Sequence, residues 1–274
     1  MNLTDRVDLH CHTYYSDGEL SPQAVAEEAK RVGLRAVAIT DHDTMEGLSE
    51  LTPVPGLEIV PGIERKAEWG GDEIHILGYD CDWDILRRSP YLERDRNERN
   101  EALIAKLRAD GIDVSMEELM SLKKGIVGRP HIALLLVKKG YFSTVREAFD
   151  TWLGNGRPYY VPITRRTVPE VAEELRRAGA KIVLAHPLQY EFSEGYHLEE
   201  LVELCADSGF HGMEIYYSNY TEEQSAFLGK LAARFDLCPT AGSDFHGSRR
   251  PDRVVGGAAG PYALLEALRA KERP

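Results

Sequence analysis

Apolar and polar residues alternate near the start of the chain. Val7, Leu9 and Cys11 interleave with Asp8, His10 and His12, the period-two pattern of a strand with two unlike faces. The two histidines therefore project from one face, and Ser16-Asp17-Gly18 breaks the strand with turn residues, leaving a carboxylate at its exit. Ser21-Pro22 opens a helix, with a capping serine and a proline at the first helical position. Val25, Ala29 and Val32 give it a narrow apolar stripe and Gly33 ends it. Arg35 to Thr40 is a nearly continuous apolar run, typical of a buried parallel strand. It leads into Asp41-His42-Asp43-Thr44, where the spacing of Asp43 and Glu46 predicts a capping box and a helix start. Strands follow at Leu57–Glu64 and at Asp72–Tyr79, the second carrying His75.

From about Trp83 to Val161 this rhythm stops. No buried strand is apparent there, and charge density rises. Leu92 to Arg108 reads as an amphipathic helix, and Ser115-x-x-Glu118 and Thr144-x-x-Glu147 read as two capped helix starts. The alternation then returns. Thr167-x-x-Glu170 caps a helix closed by Gly179, and Lys181–Ala185 is a strand ending at His186-Pro187. A helix at Leu198–Ala206 precedes a strand at Gly212–Tyr217. Thr221-x-x-Gln224 caps another helix, Leu237–Ala241 is a strand ending at Gly242-Ser243-Asp244-Phe245-His246, and a helix over Pro261–Lys271 finishes the chain. Strand-then-helix alternation implies parallel strands covered by helices, with reactive groups at the carboxyl ends of the strands. The expected domains are an α/β barrel over 1–85 and 162–274 and a helical insertion over 86–161.

Composition narrows the function classes. A hydrophobic fraction of 43% suits a chain able to bury a large core, and no run approaches the ~20 apolar residues that span a bilayer. Asp5 and Arg6 interrupt the N-terminus before any apolar signal region forms. The four cysteines, Cys11, Cys81, Cys205 and Cys238, make no CxxC pair and read as reduced thiols. The expectation is a cytoplasmic protein with no membrane partner. A net charge of −12 argues against a long nucleic-acid footprint. A small phosphorylated substrate remains compatible with it, because bound cations can reverse the local sign.

The histidines carry the chemistry. Of the nine present, His10, His12, His42, His75, His186 and His246 fall in or at the end of predicted strands, together with Asp17, Glu64 and Asp244. That set exceeds the four ligands of a single zinc, so two or three divalent ions are expected. Mixed imidazole and carboxylate donors suit manganese, iron or zinc alike. Glu64 offers two oxygens and can bridge two ions. Paired ions ~3.5–4 Å apart can hold a hydroxide and clamp both sides of an in-line displacement at phosphorus. Glu64, Asp244 and His246 are the expected catalytic residues. Asp41 reads as support for the His42 loop, and Asp43 as a helix cap. Arg129 and His131, separated by Pro130 in the insertion, read as substrate-phosphate contacts, with a structural role at a helix start as the alternative. Tyr216, Tyr217 and Tyr220 read as barrel packing, and Arg249 and Arg250 as a solvated charge pair. Cys11 points away from the histidine face and reads as core, while His197 and His211 are assigned no role.

His10-x-His12, Asp17-Gly18, Thr40-Asp41-His42-Asp43, Pro61-Gly62-Ile63-Glu64, His75, Ala185-His186-Pro187 and Ser243-Asp244-x-His246 together resemble the PHP (polymerase and histidinol phosphatase) family over nearly the whole chain. The insertion with Gly128-Arg129-Pro130-His131 is similar to the TrpH/YciV-type branch. The resemblance implies a distorted seven-stranded (β/α) PHP barrel with an inserted small helical domain that caps the substrate. It also implies a trinuclear site: one metal on His10, His12, Glu64 and Asp244, a second on Glu64, His75 and His186, and a third on Asp17, His42 and His246. The implied activity is metal-dependent phosphoester hydrolysis on a small nucleotide, either release of the 3′-phosphate of a nucleoside 3′,5′-bisphosphate or 5′-to-3′ trimming of very short RNA. Cyclic sugar-phosphate phosphodiesterase and histidinol phosphatase are the alternatives within the family. A non-catalytic metal- or nucleotide-binding module is the rival from another class, and a site missing several ligands would have favoured it. No Gly-x-Ser-x-Gly elbow, Walker loop or Gly-x-Gly-x-x-Gly turn is present to indicate another chemistry.

Overall fold

A computed structural model of the chain describes residues 5–89, 94–122, 127–154, 156–161, 166–193, 195, 197–248 and 250–273. Internal packing divides the chain into two compact units, Met1–Arg88 with Arg165–Pro274, and Ser89–Thr164. No described helix is long and apolar enough to cross a membrane.

The first unit is built on eight strands: β1 (Arg6–Cys11), β2 (Ala36–Ile39), β3 (Glu58–Trp69), β4 (Asp72–Tyr79), β5 (Lys181–Leu184), β6 (Gly212–Tyr217), β7 (Cys238–Gly242) and β8 (Gly260–Pro261). Their order in the sheet is β7-β6-β5-β4-β3-β2-β1-β8. The sheet curls until β1 meets the end of β7. Asp244 N–H donates to His10 O at 2.8 Å, His12 N–H donates to Phe245 O at 2.9 Å, and Cys11 bridges Phe245 in parallel. The two-residue β8 occupies the other end of that seam, pairing with Arg6 and Val7. The barrel is nearly closed, and it contains the seven expected strands plus this short eighth.

The strands are not all parallel, as the alternation had implied. β4 runs antiparallel to both β3 and β5. The cause is local: Gly70 and Gly71, at φ 63 and 90, form a two-residue turn between Trp69 and Asp72. Two left-handed residues make the tight connection that joins antiparallel strands. The reversal sets His75 level with Lys66 on β3, so an imidazole near the start of one strand reaches the end of the barrel where its neighbours finish.

Helix starts follow the capping residues. Ser21 accepts from Ala24 N–H at 3.1 Å at the head of helix Pro22–Arg31, and Thr167 and Thr221 head capping boxes. Asp43 is the exception. It takes φ 56, and its carboxylate pairs with buried Arg65. The short 3-10 helix Glu46–Glu50 starts after Met45 instead. Val7, Leu9, Ala36, Ala38, Val60, Leu77 and Val183 form one buried cluster. Cys11, Val37 and Ile39 pack with Val25 and Ala29 of the first helix in another, so Cys11 is core. Burying one such aliphatic side chain fully is worth ~1.5–3 kcal/mol.

The second unit holds helices Arg94–Ala109, Met116–Ser121, Arg129–Lys138 and Val145–Ala148, continued by a single wide turn over Phe149–Leu153. Leu103, Leu107, Leu119, Ile132, Leu136 and Leu153 are among the fully buried side chains of its own core.

One histidine of the first unit ties stability to pH. His211 Nδ1 accepts from Ile182 N–H at 3.1 Å. Burial, together with Lys181, Arg273, Lys271 and Arg176, pushes its pKa down to about 4. A depressed folded value means the unfolded chain binds the proton more readily, so stability falls as pH drops from ~6.5 toward 4. In chelator-stripped protein, His211→Gln should lose less urea stability between pH 7 and pH 5 than the wild type. Identical losses would show that His211 does not contribute.

Candidate metal centre

The nine histidine and acidic residues singled out in the sequence come together at one end of the barrel. Their donor atoms form four overlapping groups within 4.8 Å: His12, Asp17, His42 and His246; His10, His12 and Asp244; His10, Glu64 and His186; His42, Glu64 and His75. Each arrives for a local reason. The pleat of β1 puts His10 and His12 on one face, with their Nε2 atoms 3.1 Å apart. His42 follows β2 and bridges Glu64 in parallel. His186 follows β5 at φ 24, and Asp244 follows β7 at φ 54, both in the region L-residues rarely adopt.

Glu64 stands at the centre, buried. Its Oε1 lies 2.9 Å from His75 Nδ1, 3.2 Å from His186 Nε2 and 3.4 Å from His10 Nε2. Its Oε2 lies 3.0 Å from His42 Nδ1 and 3.2 Å from His12 Nε2. Asp244 Oδ1 is 3.1 Å from His12 Nε2 and 3.4 Å from His10 Nε2. Asp17 Oδ1 is 3.2 Å from His246 Nε2, and its Oδ2 is 3.6 Å from His42 Nε2. Ligand atoms about 2.1 Å from one ion and about 90–110° apart lie about 3.0–3.4 Å from each other. The observed spacings fall in or close to that interval.

Not every polar atom of these residues is satisfied within the cluster. Asp17 Oδ1, His42 Nδ1, Glu64 Oε2 and His186 Nδ1 are buried and form no hydrogen bond. His42 Nδ1 and Glu64 Oε2 are close yet not aligned, so distance alone does not pair them. Buried polar atoms without partners are costly in a folded protein, and a shared cation would remove that cost for the oxygens and the imidazole nitrogens facing it. The donor set fits divalent metal ions.

The electrostatics agree. Burial opposes charge on His12, but the neighbouring carboxylates of Asp244, Glu64 and Asp17 raise its pKa to about 10. Burial likewise opposes charge on His10, and Glu214, Asp244 and Glu64 outweigh it. Burial would raise the Glu64 carboxyl, while His42, His75 and His10 hold it well below the usual carboxylate range. His42 goes the other way: burial takes it down to about 4, against the pull of Glu64 and Asp17. Protons on the histidines answer the same field that would attract cations.

Several supporting residues escaped the sequence reading. Asp244 Oδ2 accepts from Tyr217 Oη at 2.8 Å and pairs with buried Arg253, which leaves Oδ1 for the histidine side. Glu214 meets His10 Nδ1 at 3.2 Å. Glu73 sits 3.0 Å from His75 Nε2 and 2.8 Å from Lys66 Nζ. Asp41, already named from the sequence as support for the His42 loop, accepts from Thr13 N–H at 2.8 Å and from the hydroxyls of Thr13 and Ser16, holding the turn before Asp17. For Glu214 the signal was a lone acid inside the apolar strand Gly212–Tyr217. Such a residue needs a buried partner. Arg253 carries no comparable mark.

Arg129 and His131 lie in the second unit. Arg129 Nη1 donates to Leu153 O at 3.2 Å, and its guanidinium lies 5.3 Å from the Tyr160 ring centroid. His131 Nδ1 accepts from Gly128 N–H at 3.1 Å at the start of helix Arg129–Lys138. Tyr217 is buried, whereas Tyr216 is exposed. Arg250 is exposed, and Arg249 lies outside the described residues.

The PHP domain profile matches residues 8–238. A 5′-3′ exoribonuclease of Haemophilus influenzae is 32% identical over 250 residues, covering 89% of this chain and 91% of the relative. A 3′,5′-nucleoside bisphosphate phosphatase of Chromobacterium violaceum is 28% identical over 258 residues, covering 91% and 90%. A crystal structure from Bifidobacterium adolescentis, described as a metal-dependent phosphoesterase, superposes with a TM-score of 0.77 at 28% identity, over 96% of this chain and 94% of its own.

If Glu64 bridges two ions, Glu64→Gln keeps the shape and removes a charge both ions share. Metal content and turnover should fall together, by at least the ~10–100-fold seen when outer-shell partners of metal ligands are lost. Elemental analysis beside an activity assay checks this, and wild-type metal content in the variant would exclude Glu64 as a ligand.

Proposed function

The chain belongs to the PHP domain family, and on that premise we propose that it is a metal-dependent phosphoesterase acting on small nucleotides, with a nucleoside 3′,5′-bisphosphate losing its 3′-phosphate or very short RNA trimmed from its 5′ end. The observation that carries this reading is Glu64, whose two oxygens face two different sets of imidazoles. A carboxylate so placed suits a multinuclear centre better than a single ion. Two or three divalent ions, of manganese, iron or zinc, are proposed. They would be held by His10, His12, Glu64 and Asp244, by Glu64, His75 and His186, and by Asp17, His42 and His246. When bound, such ions supply water activation and charge neutralisation at a phosphoryl group.

The protein's own part is to fix the donors and the sign of the field. Three divalent cations against Asp17, Glu64 and Asp244 leave the centre at about +3, and the buried Glu214 and Arg253 cancel each other. A protein of net charge −12 thereby gains a local pocket for a phosphate. Glu64, Asp244 and His246 are proposed to act by holding charge around the reacting phosphorus. Tyr217 and Arg253 fix the Asp244 carboxylate, and Glu73 fixes His75, so little reorganisation accompanies the reaction. The two relatives support the substrate class, since their names share cleavage of a phosphoester on a nucleotide.

Phosphate and nucleotide release should be followed on a nucleoside 3′,5′-bisphosphate, 3′- and 5′-monophosphates, short 5′-phosphorylated RNA and a sugar phosphate, with metal content measured on the same preparation. The bisphosphate and the short RNA should be the best substrates, and chelation should abolish both activities. Turnover confined to the sugar phosphate would overturn the nucleotide assignment.

Arg129 is proposed to grip a phosphate that is not cleaved, using a planar fork that lysine cannot reproduce. Its bond to Leu153 O supports the competing role of an anchor within the helical unit. Under the recognition role, Arg129→Ala costs a bisphosphate about 1.5–3 kcal/mol more than a monophosphate in kcat/KM, with metal content unchanged. Equal losses on both substrates with a lowered melting temperature would leave Arg129 as an anchor, and His131→Ala measured the same way reports on its neighbour.

A further inference from the structure

We propose that Glu214 is a positioning residue for the metal centre, a single buried carboxylate that sets the ring of His10 and the backbone of His186 at once. The proposal rests on the metal-binding reading above and goes beyond it by assigning a residue outside the nine donors. Glu214 is fully buried on β6. Its Oε1 and Oε2 lie 3.2 and 3.4 Å from His10 Nδ1, and Oε2 also accepts from His186 N–H at 2.8 Å. His10 comes from β1 and His186 from the turn after β5, yet both bring Nε2 to the same oxygen of Glu64, at 3.4 and 3.2 Å.

Two independent features show that this contact is built in. His186 holds φ 24, a backbone conformation that persists only where its surroundings over-determine it, and the Glu214 carboxylate bonds the N–H of that residue. At Gly242 on β7, a Cβ would stand 2.3 Å from Glu214 Oε1 and 2.3 Å from His10 Cβ. A glycine there is what lets β7 close against the pair. Chemically, a carboxylate accepting from Nδ1–H keeps the proton on that nitrogen and turns the Nε2 lone pair toward the site. Glutamine has the same shape but one acceptor oxygen. It can serve His10 or the His186 N–H, and its NH2 group must then face the other, so one of the two ligands is turned or carries its proton on the wrong nitrogen.

The test uses the full chain, stripped with chelator and titrated with Mn2+ by equilibrium dialysis. Glu214→Gln should bind at least one Mn2+ tenfold or more weakly than the wild type, in line with the loss of an outer-shell partner. Glu214→Asp, which keeps both oxygens, should recover part of the affinity. Wild-type affinity and stoichiometry in Glu214→Gln, even with a lower melting temperature, would reduce Glu214 to packing and overturn the proposal while leaving the metal centre standing. A wild-type protein that binds no Mn2+ would overturn both. Should the glutamine variant fail to fold, 15N NMR of histidine side chains in the Zn2+-loaded wild type decides. His10 protonated on Nδ1 supports the role, and His10 protonated on Nε2 rules it out.

Discussion

Five imidazole nitrogens lie within 3.4 Å of the two oxygens of Glu64, and the rest of the barrel is arranged to make that crowding possible. A carboxylate buried without compensation costs several kcal/mol, and neutral imidazoles turned toward it with their lone pairs repay little of it. The cluster is therefore a demand for positive charge written into the fold. His10 comes from the first strand and His12 from the position just past its end, His42 from the turn after the second, His75 from a reversed strand and His186 from the turn after β5. No single element could supply them, so the convergence belongs to the closed sheet.

Around that centre, several donor residues have something behind them. Asp244 turns one oxygen to the histidines because Tyr217 and Arg253 hold the other. Glu73 and Lys66 back His75. The loop carrying His42 is held at both sides: Asp41 receives Thr13 and Ser16, and Asp43 pairs with Arg65, which also meets Glu174, itself bound by Arg166. These buried charges alternate in sign, which limits the desolvation penalty each would carry alone. Donors locked in this way can hold an ion without first reordering the chain, the property a hydrolytic centre needs.

The helical unit is a separate case. Its core of leucine, isoleucine and valine and its capped helices explain why it forms, and Asn100 inside it satisfies Val127 O at 2.9 Å. Gly128-Arg129-Pro130-His131 shows how one short motif serves local structure: the proline opens the helix, His131 closes back on Gly128, and Arg129 reaches Leu153. A residue type suited to phosphate is thus also suited to tying a helix start to its neighbour.

How much of this was legible beforehand follows from the range of the forces involved. Strand and helix positions were readable because apolar periodicity and capping act over a few residues. The histidine and carboxylate set was readable because the chemistry of its side chains is distinctive wherever they fall. The direction of β4 is set by the two-residue turn at Gly70-Gly71, against the parallel neighbours that strand-then-helix alternation implies. The role of Asp43 was missed because its partner Arg65 lies on β3, 22 positions along the chain. Glu214 and Arg253 stayed hidden for the same reason: a buried carboxylate or guanidinium is explained only by what it meets, and those partners stand 204 and 9 positions away. The sequence by itself determined where most elements form and which histidines and carboxylates could hold a metal ion. Only the closed barrel decided which of those side chains face one another, because burial and pairing across strands are properties of the packed sheet and of no single segment.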